Sequence, residues 1–165
     1  MTIPQWTLLG FTAWTLALLM ATVGVYRWGL IIFAKAGIAS FPPEAREGAG
    51  WYQRGTRAHA NCIENLPVFG AIVYMVTTIG LEGPMVDGLC IAILASRIVQ
   101  SLIHISHEQT NGFVAVRFSF YSVQLVSFVI LIVMAATSAE GKEYGFGDAS
   151  MSTHQFPMPF SEYHF

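Results

Sequence analysis

Long uncharged apolar stretches alternate with short polar ones along this chain. Residues 6–26 carry no charge and are rich in Leu, Ala and Val, and after Arg27 the apolar character resumes as far as Phe33. A bilayer core needs about 20 mostly apolar residues per helix, so residues 6–33 predict a first membrane span. No basic segment precedes it and its apolar run is too long for a signal-peptide core, so it reads as a membrane helix and not as a cleavable signal. Residues 34–56 read as a polar loop with Lys35, Glu44, Arg46, Glu47 and Arg54, in which Pro42-Pro43 excludes a continuous helix. A second span follows over residues 57–80, and Glu82-Gly83-Pro84 marks a turn. A third span covers residues 85–106, interrupted by Arg97, and a fourth covers residues 113–137, uncharged after Arg117. The pattern predicts an all-α fold, an integral membrane four-helix bundle occupying residues 1–137. Residues 138–165, with Gly, Pro, Ser and scattered aromatics, read as an irregular tail.

Composition supports lipid as part of the solvent. Charged residues make up 11% of the chain, less than half the share of about 25% in soluble domains. A net charge of −2 gives no footprint for nucleic acid. The two cysteines, Cys62 and Cys90, lie in apolar stretches and match neither a disulfide framework nor a metal-type spacing. Orientation follows from the short loops: Lys35, Arg46 and Arg54 place the first loop in the cytoplasm, with the third loop, and put both termini and the second loop on the opposite side.

Ionisable residues inside membrane helices usually face the bundle interior and mark function. Here they fall into register. Arg57, Asn61 and Glu64 occupy i, i+4 and i+7, one face of a helix, with Arg54 and Asn65 at its margins. Arg97, Gln100, Ser101 and His104 share a face in the third span, and Arg117, Tyr121 and Gln124 do so in the fourth. With a rise of 1.5 Å per residue, all three groups lie within roughly 15 Å of the same membrane surface. Three polar faces meeting at one depth make a pocket with excess positive charge, suited to a small anionic ligand. Two bland readings stand beside this one. Interior polar groups also hold helices together, so Arg57 or Arg97 with Glu64 can be a structural ion pair, and Arg57 can snorkel to the headgroups. His154 and His164 lack a carboxylate pattern and do not make a metal site.

The run Arg57-Ala58-His59-Ala60-Asn61-Cys62-Ile63-Glu64-Asn65-Leu66-Pro67 resembles the second-helix signature of the MAPEG family, the membrane-associated proteins in eicosanoid and glutathione metabolism. Arg97, and Arg117 with Tyr121, fall where that family carries Arg and Arg-x-x-x-Tyr, and the resemblance covers residues 6–137. It implies a homotrimer that binds glutathione between neighbouring subunits in the cytoplasmic half of the membrane. Arg57, Asn61 and Glu64 would hold the tripeptide, with Glu64 on its amino group; Arg97 would support the site, and His104 stands where several members have a ligand-contacting tyrosine. Arg117 would favour the thiolate, with Tyr121 close to it. The first-span cation is either Lys35 or Arg27. Asn65 stands where eicosanoid-making members usually have an aromatic residue, and Gln100 where one prostaglandin-making branch has histidine. Both departures point to the general microsomal-glutathione-transferase-like branch.

The expected function is therefore a membrane-bound glutathione-dependent transferase or peroxidase acting on lipophilic electrophiles or lipid peroxides. The alternative is a non-catalytic accessory subunit of a larger membrane complex, docked partly through the aromatic tail on a neighbouring subunit or a protein partner. A transporter is disfavoured, since polar residues confined to one side offer no path across. Pro67 reads as shaping the second helix, Cys62 as an apolar filler off the polar face, and Trp6, Trp28 and Trp51 as interfacial anchors.

Overall fold

The structure is a computed structural model, and it describes residues 1–33, 49–107 and 110–144. The described residues are helical: α1 (Ile3–Leu18), a π-helical turn (Leu19–Gly24), α2 (Val25–Ile32), α3 (Gly50–Thr78), α4 (Pro84–Ser106) and α5 (Asn111–Tyr144). Four stretches are long and apolar enough to cross a bilayer: Ile3–Ile32, Gly50–Thr78, Pro84–Ser106 and Asn111–Ala139. Trp6, Leu16, Met20, Ile91, Leu102, Val129 and Ile132 stand exposed on their outer faces. Such a surface is unstable in water and ordinary in lipid, so the chain is a multi-pass membrane bundle.

Local chemistry explains the helix ends. The Thr2 amide donates to Gln5 Oε1 at 3.0 Å, and Pro4 occupies the first turn of α1, where a missing N–H costs nothing. α3 ends in a Schellman arrangement: the Leu81 amide reaches Val76 O at 2.9 Å and the Gly80 amide reaches Thr77 O at 3.2 Å. Gly80 has the required positive φ of 65°. Pro84 then opens α4, whose first turn carries Asp87 against the helix dipole.

Three boundaries differ from the sequence expectation. The first span is not one uniform α-helix, because its i→i+4 ladder widens to a π-turn over Leu19–Gly24. α3 starts at Gly50, inside the stretch expected to be loop, because its first turns have tertiary partners: Tyr52 stacks on Tyr26 with ring centroids 4.1 Å apart, and Arg27 Nε donates to Tyr52 Oη at 3.1 Å. α5 runs on to Tyr144, past residue 137 and into the expected tail. Ala139, Glu140, Lys142 and Glu143 are good helix formers, and the single Gly141 costs only about 1 kcal/mol. Lys35 and the rest of the tail, residues 145–165, lie outside the described residues.

The core is aromatic at its centre. Phe69 lies 5.7 Å from Phe11 and 6.1 Å from Phe128, ring centroid to centroid. Ile93, Leu131, Val76 and Val86 pack around them, all essentially without exposure. α3 continues through Pro67 without interruption. α4 packs most extensively on α5, α1 contacts both α3 and α4, and α3 touches α5 less than it touches α1 or α4. The α3–α5 pair consequently has room between its members.

Candidate functional site

The space between α3 and α5 is where the polar faces gather. A cleft of about 330 Å³ opens there, with α4 as its floor. Asn61, Glu64 and Asn65 come from α3, Arg97 and Gln100 from α4, and Arg117 and Tyr121 from α5, with Val114 and Phe118 completing the wall. These residues belong to the first half of α3, the last half of α4 and the start of α5, so the cleft sits toward one end of the bundle. Two guanidinium groups face one carboxylate, which leaves the cleft net positive.

Arg97 is the residue most fully committed to this place. It is 1% exposed, yet its Nε and Nη2 have no hydrogen-bond partner among the described residues. Its guanidinium carbon lies 5.6 Å from the centre of the Phe11 ring, a cation–π contact from below. Ser101, one turn on, donates to Arg97 O at 2.8 Å and lies 3.6 Å from Cys62 Sγ. A buried charge with unmade hydrogen bonds is costly unless something supplies acceptors. Arg117 Nε is a second buried donor without a partner among the described residues.

Five of the seven residues expected at the site line this cleft: Asn61, Glu64, Arg97, Arg117 and Tyr121. Arg57 does not; it is exposed near the start of α3. His104 does not either: it is 3% exposed, inside the bundle, with Nδ1 unpartnered among the described residues. Arg54, expected at the edge of the polar face, serves the fold instead. Its Nε donates to Ile105 O at 2.9 Å and so satisfies a carbonyl in the last turn of α4. Asn65 and Gln100 also line the cleft; spacing set Gln100 on a polar face and Asn65 at the margin of one, but neither was among the residues expected to hold the ligand. Their polarity and helical phase were the available signal.

Farther along α3 and α5 the groove between them becomes apolar. About 510 Å³ is bounded by Val68, Ala71, Ile72, Met75, Leu131, Ile132 and the alanines at 135, 136 and 139. One pair of helices thus offers a charged end and a hydrocarbon end.

The chain matches no curated protein and no solved structure. A family model, that of the MAPEG family, matches residues 6–137, the whole of the four-helix core. On that match, and on the four-helix membrane bundle with its polar cleft, the chain belongs to the MAPEG family.

Proposed function

We propose that this protein is a membrane-bound glutathione-dependent transferase that also reduces lipid peroxides. The observation that carries the reading is Arg97: a nearly enclosed guanidinium at the floor of a cleft, whose Nε and Nη2 find no acceptor among the described residues. Glutathione brings carboxylates that satisfy such donors and an amino group for Glu64, with Asn61 alongside. A free thiol has a pKa of about 8.5, so little of it is thiolate at neutral pH. Arg117, always protonated and partly desolvated, favours the thiolate, and Tyr121 stands beside the sulfur. The thiolate then attacks an electrophilic carbon and forms a thioether as the leaving group departs. With a lipid peroxide it breaks the O–O bond, giving the alcohol and a sulfenic acid, which a second glutathione converts to the disulfide and water. The apolar groove between α3 and α5 supports a lipophilic acceptor.

In this reading the active form is a homotrimer with the cleft in the cytoplasmic leaflet. Arg57 is exposed and free to reach a ligand held against a neighbouring subunit, whereas His104 supports the packing beneath the site. Arg27 is the first-span cation among the described residues, and its bond to Tyr52 keeps it at the same end of the bundle as the cleft.

The test is titration of the purified protein with glutathione, following thiolate absorbance in the ultraviolet, with Arg117→Ala as control. A signal that requires Arg117 supports the reading. An equal signal from Arg117→Ala rejects the thiolate role, and no binding by folded protein rejects the reading altogether. The aromatic residues 146–165 favour a second reading, an accessory subunit held to fixed partners through this tail. Truncation after Tyr144 then releases those partners, and unchanged co-purification counts against it.

A further inference from the structure

Gln124 and Gln100 make a directional pair beneath the cleft. Gln124 lies one turn beyond Tyr121 on α5 and has no exposed surface; Gln100 lies one turn beyond Arg97 on α4, is 8% exposed, and lines the cleft. Gln124 Nε2 approaches Gln100 Oε1 at 3.1 Å and the main-chain oxygen of Phe120 at 3.3 Å. The two ends of a glutamine amide are alike in shape, but one donates and the other accepts. A main-chain carbonyl only accepts, so the Phe120 oxygen fixes which end of Gln124 faces it. The same nitrogen faces Gln100, which must therefore present its oxygen to Gln124. The remaining end of Gln100, its NH₂ group, is thereby left available to the cleft that this residue lines.

We infer that Gln124 is a positioning residue: through Gln100 it holds a neutral N–H donor toward the anionic ligand of the cleft, an inference that rests on the glutathione reading above. Arg97 and Arg117 also line this cleft, and each carries a buried N–H donor with no partner among the described residues. Gln100 extends the set without a third charge, which matters where desolvation makes each extra cation expensive. Without Gln124 the amide of Gln100 is free to turn over, and its oxygen then faces the anion. A plain interhelical hydrogen bond that only ties α4 to α5 is the competing account, and it assigns no direction to Gln100.

The experiment is a two-residue cycle in the full-length protein. Glutathione affinity is measured for the wild type, Gln124→Met, Gln100→Ala and the double variant. Gln124→Met is expected to weaken binding about tenfold, as for a misdirected hydrogen bond to a charged group, and to add nothing once Gln100 is alanine. The same loss in both backgrounds overturns the inference. A second measurement needs neither ligand nor a stable variant at position 124: hydrogen exchange of the glutamine side-chain amides in ¹⁵N-labelled wild type, assigned by the signal missing from Gln100→Ala. The NH₂ of Gln100 is expected to exchange through the cleft while that of Gln124 is protected. Equal protection of both overturns the orientation. If the wild type binds no glutathione while the exchange pattern holds, the ligand reading fails and the orientation stands.

Discussion

Thr22 and Gly55 meet where the first span crosses α3, and they leave no space between them. A Cβ at position 55 would stand 2.5 Å from the Cβ of Thr22. Thr22 is itself fixed, because it lies on the π-helical turn and its hydroxyl donates to Leu18 O at 2.6 Å. Gly55→Ala is therefore expected to push the two helices apart and to lower stability by about 1–3 kcal/mol, the usual cost of overpacking. Thermal unfolding in detergent measures this, and an unchanged midpoint would show that the crossing relaxes freely.

Arg97 separates stability from ligand affinity. Enclosure of an unpaired guanidinium works against the folded state, and replacing buried ionic groups by apolar ones of similar volume is often neutral or stabilising. Arg97→Met is expected to unfold at the same temperature as the wild type or higher, and to bind glutathione at least about tenfold more weakly. Loss of both stability and binding would instead make Arg97 a structural residue.

Tyr52 combines two contacts that substitution can take apart. Tyr52→Phe keeps the ring on Tyr26 and removes the acceptor for Arg27, an expected loss of about 1 kcal/mol. Tyr52→Leu also removes the stacked pair, worth about 0.5–1.5 kcal/mol more. The order wild type, Phe, Leu in unfolding midpoint is the check; equal midpoints for Phe and Leu would show that the stacking contributes nothing.

Both cysteines are free and fully enclosed, each 0% exposed. Maleimide is expected to label neither Cys62 nor Cys90 in folded protein and both after denaturation, read by mass. Rapid labelling of native Cys62, which sits beside Ser101, would mean that the bundle opens there.

Apolar runs and punctuating turns made the four spans readable from the sequence, because lipid imposes one rule on every residue of a span. Helical phase likewise brought Asn61, Glu64, Arg97, Arg117 and Tyr121 toward a common cleft. What phase does not encode is tertiary. The π-turn over Leu19–Gly24 has no compositional mark, and it shifts the register of everything after it. Gly50 opens a helix because Tyr52 finds Tyr26 and Arg27, residues about 25 positions away. Arg54 has the phase of an edge of the site, yet its partner is a carbonyl in the last turn of α4. His104 has the phase of the site and is closed off from it by packing.

Among the described residues the cleft has a floor and no roof. Arg97 is sealed, while Glu64 and Tyr121 at its mouth stay exposed, Tyr121 at 38%. A ligand held by one chain alone would be wetted along one side. Where a neighbouring subunit closes that side, as in the homotrimer proposed above, the closure obeys mass action. Dilution should then extinguish turnover before it unfolds a single helix, and the amount of protein in the membrane becomes itself a control on its chemistry.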